Sequence, residues 1–279
     1  MRRTFIVLGV LAFLLAVTVG ITAWLGKDKF AEQSQAAFLR LEAAVPPPGE
    51  LPPPRDLASL PLVVRAFLSR VLPAHGRRVS LVRLEQSGRI KVAEEAGWDD
   101  FRARQLVSTH PPQMIWAGQA EYLPAVPLMI LQGWVGGRSE LESSLWGYVS
   151  TFRRKGRELQ EYLMLRWLGE ALWYPGALLG EQVRWEEAPD LPGGMKQARV
   201  FLKMGSVTVG GRFIFDPRGG APFYFWGDPR PDGDIWYANY SQWRRVEGVV
   251  IPFQVTEGIK RTISYLPRLE IQLTKVEYR

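Results

Sequence analysis

Two histidines, no cysteine and 28 carboxylates are the obvious chemical resources of this 279-residue chain. Without Cys there is no disulfide, thiolate metal site or thiol nucleophile. His75, in LPAHGRR, and His110, in STHPP, lie far apart in loops beside Gly or Pro. Neither has the H-E-x-x-H or H-x-E spacing of a zinc site, so both are expected to be solvated. The chain contains no G-x-S-x-G elbow and no G-x-G-x-x-G or G-x-x-x-x-G-K-[ST] phosphate loop. Glu94–Glu95, Asp99–Asp100 and Glu186–Glu187 are adjacent acids. Neighbours on a strand point to opposite faces, so no such pair supplies both halves of an acid–base couple. Carboxylates from two strands could reach glycosidase separation, which keeps a carbohydrate-active enzyme or binder as a distant alternative. The expectation is no catalysis, no metal and no cofactor.

Aromatic residues are the stronger signal: 11 Trp, 9 Tyr and 13 Phe. In QMIWAGQAEY the alternation puts Met114, Trp116, Gly118, Ala120 and Tyr122 on one face. In VTVGGRFIF it does the same for Val207, Val209, Gly211, Phe213 and Phe215. Such faces are either solid core beneath helices or the wall of an apolar ligand site. On the second reading Trp116, Tyr122, Trp134, Trp146, Phe213 and Phe215 line the site. Trp173 and Tyr174 join them from the segment EALWYPGALLG, with Trp173–Leu179 as a movable lid. Pro175 must stop the helix that begins near Glu158, yet the exit is its most apolar part, so it must lie on an apolar surface. Arg166 and Glu170, spaced i, i+4, are expected on that helix's exposed face.

These residues need a scaffold, and the period-two pattern supplies it. From Val79 onward about eleven strand-length segments alternate, LESSLWGYVSTF among them, separated by turn signals such as SGR, GWDD, HPP and GGR. Short links favour antiparallel hairpins. Two helices accompany them, one near Leu62–Val71 ended by Pro73, the other near Glu158–Leu172. The fold class is therefore α+β: a large antiparallel sheet that must curl into a half-barrel, with helices on its concave face. Gly118, Gly133, Gly210 and Gly211, inside strand patterns, are expected to mark bulges.

Ahead of this body, residues 5–25 are an uncharged run of bilayer-spanning length, preceded by Arg2 and Arg3. Trp24 and Leu25 stand where a cleaved signal would carry small residues, so a retained, single-pass N-terminal transmembrane helix is expected. The basic start places the N-terminus in the cytoplasm and the globular part outside it. An amphipathic segment and the Pro-rich VPPPGELPPPRD follow, a stalk. The divisions are 1–29 anchor, 30–56 amphipathic segment and stalk, and 57–279 globular domain. Beyond residue 29 the chain holds 31 basic against 27 acidic residues, which gives no footing for nucleic-acid binding. Arg153, Arg154, Lys155 and Arg157 form the densest basic run, a place for anionic lipid headgroups.

Several stretches, in order, resemble a bacterial family of unknown function (DUF6544/DUF6920 type). They are LPLVVRAFLSRVLPAHGRRVSLVRLEQSGRI, PPQMIWAGQAEYLPAVPLMILQGWVGGRSEL, RWLGEALWYPGALLGEQVRWEEAPD, FIFDPRGG and VEGVVIPFQVTEG. That family brings no established activity. The expected architecture is more distantly similar to LolA/LolB-like lipoprotein carriers, whose half-barrel holds acyl chains. What this likeness implies is a membrane-anchored, extracytoplasmic binder of a lipid or acyl chain in the concave face. The alternative is a cell-envelope domain with a solid core that serves structure or protein interaction.

Overall fold

The alternating segments pair into one antiparallel sheet of thirteen strands. The first run is β1 (Leu81–Ile90), β2 (Asp99–Thr109), β3 (Pro112–Leu123), β4 (Val126–Val135), β5 (Arg138–Leu145) and β6 (Val149–Lys155). The second is β7 (Val183–Glu187), β8 (Lys196–Met204), β9 (Val207–Phe215), β10 (Pro222–Gly227), β11 (Ile235–Val246), β12 (Val249–Arg261) and β13 (Ser264–Tyr278). Both runs are meanders. They are joined where β1 pairs with β13, which leaves β6 and β7 as the sheet's two edges. The computed structural model describes residues 2–73, 78–123, 126–217 and 220–279, so His75 lies outside the described residues. LESSLWGYVSTF, expected as one strand, breaks into β5 and β6 at Trp146 and Gly147, whose φ angles are 50° and 73°.

Helix α3 (Arg157–Glu170) follows edge strand β6 and is followed by two short 3-10 turns, Ala171–Trp173 and Pro175–Leu179, that lead to the other edge. It touches both β5 and β9, which stand nine places apart in the strand order. Across a flat sheet nine places cover roughly 43 Å, at about 4.8 Å each. The 14 residues of α3 measure only about 21 Å. The sheet therefore wraps around the helix, as its size requires. Inside the wrap, α3 and α2 (Leu62–Val71) bury one continuous apolar cluster against the inner face of both meanders. On α2 the buried side chains are Val64, Phe67, Leu68 and Val71.

Gly118, Gly133, Gly210 and Gly211 do not mark the bulges expected of them. Register shifts lie at Glu85/Gln86, Ala120/Leu123 and Glu257/Gly258, among others, whereas Gly118 and Gly211 sit in regular ladder positions. A Cβ on Gly118 would stand 2.2 Å from the Trp116 ring, and one on Gly211 2.5 Å from the Phe225 ring. These positions are empty so that neighbouring rings can lie flat on the sheet.

The outer face carries α1 (Arg2–Ala43), a single helix that runs through the expected anchor and amphipathic segment. Its last turns bury Ala37, Phe38 and Leu41 on Leu81, Leu106, Ile115 and Ala117. Gly26 meets the Trp146 carbonyl so closely that no Cβ fits there. Further toward the N-terminus, Phe5, Leu8, Leu11, Phe13, Ile21, Trp24 and Leu25 are all exposed. Among the described residues no helix is long and apolar enough to cross a membrane, so the span expected over 5–25 is not met by them. Some side chains of that run lie outside the described ones. The Pro-rich segment touches the body rather than standing clear of it: Arg55 N–H donates to the Leu179 carbonyl at 2.9 Å, and Arg78 to that of Leu51 at 2.6 Å.

Candidate functional site

On the mostly apolar inner face of the sheet, three polar side chains meet α3. Gln86 of β1 and Gln105 of β2 lie in adjacent strands, and Glu257 of β12 sits between Ala238 and Leu269. From the helix, Arg166 and Glu170 project into the gap. Arg166 Nε lies 2.8 Å from Glu170 Oε1 and 3.4 Å from Glu257 Oε2. Gln105 Nε2 donates to Glu170 Oε2 at 2.5 Å, Gln86 Nε2 donates to Gln105 Oε1 at 2.7 Å, and Trp116 Nε1 donates to Gln86 Oε1 at 2.8 Å. The cluster thus pins one meander to the other through the helix.

Arg166 and Glu170 are 1% and 2% exposed, so the expectation of an exposed helical face is corrected. The i, i+4 spacing that pairs them on a surface pairs them equally well in the interior. Burial drives the Glu257 carboxyl well above the ordinary carboxylate range; Arg166 opposes that and Glu170 adds to it. Burial also opposes the Arg166 charge, but Glu170 and Glu257 outweigh it and hold the guanidinium protonated. Arg166 Nη2 and Glu257 Oε1 find no hydrogen-bond partner.

The apolar helix exit is explained by its carbonyl partners. A buried helix end must satisfy its last C=O groups. Tyr174 Oη donates to Trp167 O at 2.8 Å, Tyr240 Oη to Gly169 O at 2.7 Å, and Tyr278 Oη to Trp173 O at 2.7 Å. Trp173 Nε1 donates to Pro252 O at 2.9 Å. Burial holds the Tyr174 and Tyr240 hydroxyls well above their usual range, so they remain donors.

Of the eight aromatic residues singled out in the sequence, Trp116, Trp134, Trp173, Tyr174, Phe213 and Phe215 come together in this inner cluster, all buried. Tyr122 does not join them. The register shift after Ala120 carries it out of the alternation, and it is exposed. Trp146 sits half-buried in the β5–β6 turn against α1. His110 faces Gln182, with Nδ1 3.3 Å from its Nε2. The basic run that spans the end of β6 and the start of α3 is neutralised: Arg153 pairs with Glu142, Arg154 with Glu158, Lys155 with Glu140 and Arg157 with Glu161. Among the described residues no group of three or more acidic or histidine side chains is placed to hold a metal.

Open space lies elsewhere. A cavity of about 1080 Å³ runs between α1 and the outer face of β4 and β5. Phe30 and Ala37 form its helix side, and Ile115, Met129, Leu131 and Val135 its floor. It turns the Gly136–Gly137 hairpin and reaches Gln160 of α3 and Val207 of β9. Arg40, Arg138, Glu140, Glu142, Lys155 and Arg157 lie along its sides. None of the six clustered aromatics lines it. Sequence reasoning missed this groove, because α1 and the sheet contribute its walls from segments 75 residues or more apart, Arg40 and Ile115 being the nearest.

A model describing a family of unknown function, DUF6544, matches residues 50–260. The structure is similar to that of a LolA superfamily protein from Nitrosomonas europaea, 12% identical, with a TM-score of 0.44 over 78% of this chain and 92% of that one. It is also similar to a DUF1329 family protein from Desulfovibrio piger, 8% identical, with a TM-score of 0.40 over 72% and 86%. No curated protein matches the chain.

Proposed function

Because the chain belongs to the DUF6544 family, whose description carries no activity, we propose a function from the site itself: membrane-attached binding of a lipid acyl chain, without catalysis. The groove beside α1 carries this reading. Its volume reaches the upper end of small-ligand sites, roughly 300–1,000 Å³. Its floor of Ile115, Met129, Leu131 and Val135 is apolar and its sides are charged. Continuity supports an acyl chain as the occupant. The helix that roofs the groove extends to exposed apolar side chains such as Phe5, Leu8, Leu11, Phe13 and Trp24; if these meet a membrane, the groove would stand next to lipid. Burying acyl carbons there is worth about 0.8 kcal/mol per CH₂. On this reading residues 5–25 attach the protein to the membrane, and the basic Arg2–Arg3 start keeps the N-terminus cytoplasmic and the sheet domain extracytoplasmic.

The inner-face aromatics are filled space in the present conformation, and ligand access to them would require α3 to leave its pin. That favours the groove over the concave face. The test is to purify the full chain in detergent, extract it with organic solvent and measure bound lipid by mass spectrometry. About one acyl lipid per chain is expected, falling severalfold when Gln33→Trp and Ser144→Trp fill the groove from its exposed sides. A protein that is empty on extraction and takes up no fluorescent fatty acid would establish the solid-core structural alternative instead.

A further inference from the structure

The charges along the groove do not balance. Lys155 is held by Glu140, Glu142 is held by Arg153 from the edge strand, and Arg157 is held by Glu161. Arg40 and Arg138 remain. Both are exposed, both line the groove, and among the described residues neither has a carboxylate or hydrogen-bond partner. Arg40 comes from the last turn of α1, on the helix side, and Arg138 from the start of β5, just past the hairpin glycines. An apolar trough with two uncommitted guanidiniums along its sides is the layout of a site for an amphiphile with an anionic head.

We infer that the groove selects a phosphate-headed amphiphile, with Arg40 and Arg138 holding the phosphate while the acyl chain lies over Ile115, Met129 and Leu131; this rests on the acyl-binding reading above. The planar fork of a guanidinium matches a phosphate in two parallel hydrogen bonds, which a single ammonium cannot offer. Lys155, Arg153 and Arg157 are excluded from the role because each already has a glutamate. The headgroup site therefore lies at the groove and not along the basic run of β6.

The experiment uses the full chain in detergent with two fluorescent probes of equal acyl length, a phosphatidic acid and a neutral diacylglycerol. Inorganic phosphate is added as a competitor. Wild type is expected to bind phosphatidic acid more tightly than diacylglycerol by at least tenfold, on the order of one charge-assisted contact. Arg40→Gln and Arg138→Gln should each cost roughly tenfold for phosphatidic acid and leave diacylglycerol binding unchanged. Arg154→Gln, whose partner Glu158 does not line the groove, should alter neither. Equal binding of both probes, unmoved by the arginine variants, overturns the headgroup inference and leaves the acyl groove standing. Failure of wild type to bind either probe overturns the acyl reading and this inference with it. Displacement of the probe by millimolar inorganic phosphate alone would make this a free-phosphate site and overturn the amphiphile.

Discussion

Arg166→Met is the most informative single change in this molecule. The guanidinium is 1% exposed and lies 2.8 Å from Glu170 and 3.4 Å from Glu257. At an effective dielectric near 20, unit charges at the shorter distance (2.8 Å) attract by roughly 6 kcal/mol. Removing each ion from water costs several kcal/mol, so the intact cluster contributes little net stability. Removing the arginine alone is different, because Glu170 is then buried beside Gln105 and Glu257 with no cation. The expected loss is about 3–5 kcal/mol, a large part of the 5–15 kcal/mol of a typical domain. Urea unfolding of the full chain in detergent, followed by tryptophan fluorescence, reads it directly. Replacing all three residues together, as Arg166→Met, Glu170→Leu and Glu257→Leu, should restore most of it. A loss under about 1 kcal/mol would refute the pin.

Two further outcomes follow from the same interior. Glu257 has its folded-state pKa raised above the unfolded value of 4.5, so its contribution is complete below pH 4.5 and is lost as pH rises toward the folded value. Across that window stability falls by up to about 1.4 kcal/mol per pH unit. Glu257→Gln should flatten the slope, measured as urea midpoints from pH 5 to pH 8; parallel curves for variant and wild type would contradict it. Trp173→Ala removes a fully enclosed ring and its bond to Pro252, and should cost about 3–5 kcal/mol in unfolding free energy. A variant with wild-type stability and faster ligand release would instead make Trp173–Leu179 a lid.

The period-two pattern made most of the sheet legible, since alternation in β3 and β9 puts Met114, Trp116, Phe213 and Phe215 on the inner face where they lie. It failed where a local event breaks the count. The shift after Ala120 expels Tyr122, and the Trp146–Gly147 turn splits one expected strand in two. The pin was hidden for another reason. Arg166 and Glu170 advertise an ordinary surface pair, and their third member, Glu257, stands in a strand 87 residues beyond Glu170. Nothing local distinguishes a buried pair from an exposed one. The groove was hidden likewise, as the space between two elements rather than a property of either.

The pairing of β1 with β13 also sets an order on the chain's assembly. Until the last 15-residue strand is synthesised, the first meander has an open edge along the whole of β1, a template for any other strand nearby. The two ends of the domain must find each other across about 180 residues, a long-range closure that is slow compared with hairpin formation. A ribosome pausing late in the message would therefore hold an uncapped half-sheet, and loss of the final strand would cost the union of the two meanders rather than a frayed terminus.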